Sequence, residues 1–121
     1  MFKILVIDDD VDLLFLGSSM LRQKGFEVHS LARPENVLHV VKSFRPDLIL
    51  LDIKLGDYDG RDLCLQLKNN PETKDIKIIL YSAFPETSVD VMKYGADDFM
   101  LKPVSAEVLT NRVITQLANR R

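Results

Sequence analysis

Four clusters in the 121-residue chain carry side chains that could do chemistry together, and each directly follows an apolar run. Asp8, Asp9 and Asp10 close residues 4–7, Asp52 follows residues 48–51, Ser82 follows residues 76–81, and Lys102, with Pro103 behind it, follows residues 99–101. Carboxylates gathered at one edge repel and raise one another's pKa values unless a cation offsets them. The candidate ligands are oxygens, with no His or Cys among them, which favours a hard ion, Mg²⁺ or Mn²⁺, in octahedral coordination completed by water. Such an ion, an ammonium and a hydroxyl are also the groups that hold a phosphoryl: two offset charge on its oxygens and the third donates a hydrogen bond. Asp8 and Asp9 are adjacent and suited to holding the ion, whereas Asp52 stands alone between Leu51 and Ile53 and is the candidate nucleophile. An aspartyl phosphate is a reactive mixed anhydride, so its formation stores free energy that can drive a conformational change before water removes it.

For these residues to meet, the runs before them must be strands of one parallel sheet, because ligand sites in such sheets lie beyond the carboxyl ends of the strands. Three of the four runs are too continuous for half-exposed alternating strands and read as strands covered on both faces. A weaker run, residues 26–31, supplies a fifth strand after Gly25, which stands where a glycine closing a helix belongs. Between strands the period changes. Val37, Val40, Val41 and Phe44 fall at i, i+3, i+4 and i+7 and predict a helix opening at Pro34. Leu14, Ser18 and Leu21, then Leu63 and Leu67, then Leu109, Val113 and Leu117 mark similar stripes, Ser105 being the N-cap of the last. Val89 and Met92 mark a shorter one, and residues 68–75 read as a loop. Strands and helices alternating five times predict an α/β fold: a doubly wound, five-stranded parallel sheet with helices on both faces, joined by right-handed crossovers.

This length accommodates one domain, residues 1–121. With 46% apolar and 28% charged residues the chain can bury a core. Sixteen Lys and Arg against eighteen Asp and Glu leave a net charge of -2, so no direct nucleic-acid or membrane partner is expected. The single Cys64 excludes an intramolecular disulfide and no Cys/His cluster has zinc spacing, which points to a reducing, cytoplasmic compartment. MFKILVIDDD, with an apolar run of four closed by three aspartates, reads as neither signal peptide nor membrane span.

The segments ILVIDDD, PDLILLDIKLGDYDG, IILYSA and GADDFMLKP, in this order and each at the end of an expected strand, resemble the receiver domain of two-component response regulators, from Lys3 to about Leu117. The resemblance implies a flavodoxin-like sheet of strand order 2-1-3-4-5, with no output domain in this chain. It implies that Asp8 and Asp9 hold Mg²⁺ with Asp52, that the backbone carbonyl of Lys54 completes the protein ligands, and that Asp52 accepts a phosphoryl group from a histidine kinase or phosphotransfer protein. Ser82 and Lys102 are then expected to contact the phosphoryl, with the Lys102–Pro103 peptide cis. Downstream lies an effector protein or domain, and homodimers are expected through the face of the fourth helix, fifth strand and fifth helix.

Three departures from the family pattern stand out. Phe99 occupies the position of an aromatic, usually Tyr, that swings inward as Ser82 is drawn to the phosphoryl; its ring can swing but offers no hydroxyl. The chain from Ser82 to Lys102 is about two residues short, so the fourth-helix region is expected to be trimmed and that face reshaped. Gly56 replaces a common proline and is expected to loosen the loop after Asp52. Lys54 and Phe84 are expected at the mouth of the site, where Phe84 could shield the anhydride from water.

Other residues have plainer readings. The acidic run at residues 8–12 is also what a helix start favours. Asp97 and Asp98 precede the fifth strand, away from the site, and read as surface caps. His29 and His39 have no partner motif, Cys64 reads as a small apolar residue, and Arg112, Arg120 and Arg121 as a solvated basic helix end. Two rival functions remain: a receiver-like docking module that is never phosphorylated, and a haloacid dehalogenase-type phosphatase, with Asp8-Asp9-Asp10 imitating its D-x-D. The second is opposed by the short chain and by the order of its acidic pair and lysine.

Overall fold

A computed structural model describes residues 1–88 and 90–119. Its three central strands are the most apolar stretches of the chain: β1 (Lys3–Ile7), β3 (Leu48–Asp52) and β6 (Lys77–Ser82). β2 (Glu27–Leu31) and β7 (Asp98–Leu101) lie at the edges and are less buried. The five pair in parallel in the order β2-β1-β3-β6-β7, the flavodoxin-like topology. Alternate residues of the central strands feed two cores. Leu5, Ile7, Ile49, Leu51, Ile78 and Leu80 face α2 (Val37–Phe44) and α3 (Gly60–Lys68). Ile4, Val6, Leu48, Leu50, Ile79 and Tyr81 face α1 (Val11–Gln23) and α4 (Ala106–Ala118). Unbroken apolar runs in β1, β3 and β6 follow from this double cover.

The helix ends follow their caps. Asp10 Oδ1 accepts from the N–H groups of Asp12 and Leu13 at 3.1 and 3.2 Å, opening α1. Gly25, at φ +96°, turns the chain after it. Ser105 Oγ accepts from Val108 N–H at 3.1 Å and opens α4. The second helix starts at Val37 rather than Pro34, because Pro34 lies in a preceding turn whose carbonyl accepts from Val37 N–H.

The fourth helix is the main departure. The described residues there form two 3-10 turns, Pro85–Ser88 and Val91–Tyr94. Thr87 and Ser88 donate their hydroxyls back to the carbonyls of Phe84 and Pro85 at 2.6 and 2.8 Å, and such local bonds compete with an α-helical ladder. The expected α-helix is thus replaced by 3-10 turns among the described residues; Val89, on which the expected stripe partly rested, lies outside them. So do Arg120 and Arg121, while Arg112 pairs with Asp98 at 2.7 Å. Asp97 is no surface cap: its carboxylate accepts from Lys68 Nζ and Ile78 N–H, both at 2.8 Å, and pins α3 to the start of β6. Among the described residues no helix is long and apolar enough to cross a membrane.

Candidate functional site

The carboxyl ends of β1, β3 and β6 lie side by side, with Ile7 in register with Leu51 and Asp52 with Tyr81. The residues after β1 and at the end of β3 therefore converge: carboxylate oxygens of Asp8, Asp9 and Asp52 lie within 4.8 Å of one another. Asp8 is fully buried and Asp52 nearly so, whereas Asp9 is exposed. Lys102 follows β7 through a backbone bond from its N–H to Ser82 O at 2.8 Å, and the Lys102–Pro103 peptide is cis. Its ammonium reaches back to Asp8 Oδ2 at 3.0 Å and Asp52 Oδ2 at 3.3 Å.

One ammonium cannot fully offset two buried carboxylates, and the pair titrates unequally. Burial drives the Asp52 carboxyl up to about 7; Lys102 works against this, and the neighbouring Asp8 charge adds to it. Burial also acts to raise Asp8, but hydrogen bonds from Tyr81, the Asp10 N–H and Lys102 outweigh it and hold Asp8 below the usual carboxylate range. The arrangement lacks positive charge, and three oxygen donors of this kind fit a hard divalent ion.

Ser82 is buried at the end of β6, one residue beyond the register partner of Asp52. Its Oγ accepts from Phe84 N–H at 3.0 Å, which fixes the hydroxyl and leaves its proton to donate. Lys54 lies two residues beyond Asp52 with an exposed side chain. Phe84 is 48% exposed and lines a cleft with Lys54, Ser82 and Thr87. Phe99 is half-buried, pairs with Leu80 two positions below the Ser82 level, and packs against the α2–α3 core. Asp10 is spent on capping α1. His29 rests exposed against Phe44 with ring centroids 5.4 Å apart, and His39 is exposed on α2. Cys64 is fully buried, its thiol pushed up to about 12 by burial.

Sequence reasoning singled out Gly56 without its contacts and missed two residues, Gly60 and Tyr81. Gly56 lies in the segment after Asp52. It turns a small hairpin, β4 (Lys54–Leu55) against β5 (Tyr58–Asp59), with φ +59°, and its N–H donates to Asp9 Oδ2 at 2.7 Å. Gly60 lies so close to β3 that a Cβ there would stand 2.1 Å from Asp52 O. Tyr81, taken as a plain strand residue, donates its hydroxyl to Asp8 Oδ2 at 2.5 Å. The signal for it was present, since a tyrosine inside a fully covered strand must find a partner for its hydroxyl.

Known proteins share this architecture. The chain is 35% identical to the DNA-binding response regulator MtrA of Mycobacterium tuberculosis, over 95% of this chain and 50% of that protein. It is 36% identical to the phosphate regulon transcriptional regulatory protein PhoB of Rhizobium meliloti, over 95% of this chain and 52% of PhoB. The chain thus spans about half the length of these relatives, and 19% of Protein RcaC of Microchaete diplosiphon, at 31% identity over 98% of this chain. Among solved structures, a putative response regulator from Chloroflexus aurantiacus superposes with a TM-score of 0.91 at 28% identity, covering 98% of each chain. A CheY-like receiver domain protein from Methanospirillum hungatei gives 0.89 at 28% identity, covering 98% of this chain and 94% of that one. The family model for the response regulator receiver domain matches residues 4–114. With acids, hydroxyl and lysine gathered on this sheet and the match running nearly end to end, the chain belongs to the response regulator receiver domain family of two-component signalling proteins.

Proposed function

We propose that Asp52 is the phosphoacceptor of this receiver domain. The observation that carries the reading is the Lys102 ammonium bridging Asp8 and Asp52, beside the oxygens of Asp8, Asp9 and Asp52. Asp8, Asp9, Asp52 and the backbone carbonyl of Lys54 are the groups that hold Mg²⁺, with Mn²⁺ as a substitute. When bound, the ion offsets the negative charge of the carboxylates and of the transferring phosphoryl. A carboxylate oxygen of Asp52 attacks phosphorus, and the P–N bond of a phosphohistidine on a histidine kinase or phosphotransfer protein breaks, its electron pair leaving with the imidazole nitrogen. Lys102 pairs with one phosphoryl oxygen and the Ser82 hydroxyl donates to another. Water later attacks phosphorus and restores the carboxylate, so the chain assists its own phosphorylation and dephosphorylation without turning over a separate substrate.

Movement of Ser82 toward the phosphoryl draws Phe99 inward and changes the face formed by the two 3-10 turns, β7 and α4. A downstream effector, or a second copy of the chain, reads that face. The relatives MtrA and PhoB are named as a DNA-binding and a transcriptional regulator. With a net charge of -2, contact with nucleic acid falls to an effector rather than to this chain, and the setting is cytoplasmic.

The test is incubation with acetyl phosphate and Mg²⁺ followed by mass spectrometry of the intact chain and of Asp52→Asn. One added phosphoryl group on the native chain and none on the variant is expected. Uptake by both would move the acceptor elsewhere. Mg²⁺ binding without uptake would make the chain a docking module, and multiple turnover of a phosphate ester would make it a phosphatase.

A further inference from the structure

The Asp8 carboxylate has three donors: Asp10 N–H on Oδ1 at 3.0 Å, and both the Tyr81 hydroxyl at 2.5 Å and Lys102 Nζ at 3.0 Å on Oδ2. The two donors on Oδ2 fill both acceptor sites of that oxygen of a fully buried carboxylate. They acquire a purpose when one of them must leave. In the phosphorylation reaction proposed above, Lys102 turns from Asp8 toward a phosphoryl oxygen, and Asp8 Oδ2 loses one of its two hydrogen-bond donors. Tyr81 already sits on the same oxygen. Its ring also lies beneath the ammonium, with Nζ 4.4 Å from the ring centroid, a surface over which a cation can shift without losing all its attraction.

We propose that Tyr81 is a positioning residue that takes over Asp8 Oδ2 and so releases Lys102 to the phosphoryl group. The inference rests on the phosphoacceptor reading and adds a residue to it. Tyr81 touches neither phosphorus nor the attacking oxygen; it acts through Asp8 and Lys102. The ring and the hydroxyl have separable parts: the ring supports the ammonium, and the hydroxyl replaces it.

The experiment follows acetyl phosphate labelling of the wild type and Tyr81→Phe at saturating Mg²⁺, with Mg²⁺ titrations of both and thermal melts as a folding check. Tyr81→Phe keeps the ring and removes the hydroxyl. It is expected to label about tenfold more slowly, the scale of one hydrogen bond to a charged group. The Mg²⁺ titrations fix the saturating concentration for each protein, so that the labelling rates are compared at full metal occupancy. In a Lys102→Met background the added effect of Tyr81→Phe is expected to vanish, since no lysine is left to release. An equal rate in Tyr81→Phe, or the same tenfold loss with and without Lys102, overturns the inference and leaves the phosphoacceptor reading standing. A wild type that takes up no phosphoryl overturns the phosphoacceptor reading and this inference with it. If Tyr81→Phe does not fold, NMR of the wild type with Mg²⁺ and beryllofluoride decides. The Tyr81 hydroxyl proton is expected to persist while the Lys102 ammonium resonance shifts, and loss of the hydroxyl signal overturns the inference.

Discussion

Gly60 rests directly against the backbone of Asp52: a methyl group on its α-carbon would stand 2.1 Å from the Asp52 carbonyl oxygen and 3.1 Å from its carbon. Both neighbours are main chain, and the Gly60 N–H bonds to Ile53 O at 2.6 Å, so neither side can give way without moving the end of β3. Gly60→Ala is expected to cost roughly 2 to 3 kcal/mol, the scale of overpacking in a close-packed interior. It is also expected to slow labelling of Asp52. Urea unfolding with acetyl phosphate kinetics checks this, and a wild-type midpoint would show that β3 yields freely.

The raised Asp52 pKa makes the protein without Mg²⁺ less stable as pH rises. The folded chain holds a proton on Asp52 up to about pH 7, while the unfolded chain gives it up near 3.8. Across that window the folded state binds more protons, so stability falls with pH and levels off above it. Asp52→Asn removes the dependence. In chelator it is expected to stabilise the protein by roughly 2 to 4 kcal/mol at pH 8, and by less at pH 5. Denaturant titrations at both values measure the difference; an equal gain at both would contradict it.

Phe84 stands partly exposed over the cleft beside Ser82. On the phosphoacceptor reading proposed above, the ring is expected to limit the approach of water to the phosphoryl group. Phe84→Ala is expected to shorten the phosphoryl half-life several-fold, read from the decay of labelled protein. An unchanged half-life would remove this role.

On α4, Thr110 buries a hydroxyl oxygen with no hydrogen-bond partner. Thr110→Val replaces it with a methyl of similar size and is expected to raise stability by about 1 kcal/mol. Thermal melting tests it, and a lower melting temperature would mean that the hydroxyl is satisfied in solution.

Legibility in the sequence tracked how local the cause was. β1, β3 and β6 could be read because burial on both faces leaves unbroken apolar runs, and Asp8, Asp52, Ser82 and Lys102 because each sits where such a run stops. Asp10 and Ser105 announced helix starts through their cap chemistry. The 3-10 turns were read as a helix because Val89 and Met92 match a stripe, whereas Thr87 and Ser88 act on carbonyls three residues back. Asp97 looked peripheral because its partners, Lys68 and Ile78, are 29 and 19 residues away. Tyr81 hid for the same reason, its partner Asp8 being 73 residues distant.

The two rims of the sheet are held with unequal firmness. Near the amino ends of β6 and β7, Asp97 gathers Lys68, Lys77 and the Ile78 amide into one part-buried knot. Beyond the carboxyl end of β6, the residues of the Pro85–Ser88 turn are held by bonds from Thr87 and Ser88 to carbonyls three residues back. Their amides should exchange with deuterated solvent long before those of β6. On the phosphoacceptor reading, a disturbance entering at Asp52 would meet an anchored base and a pliant crown, and its displacement is expected to be channelled to the surface that a listener could touch.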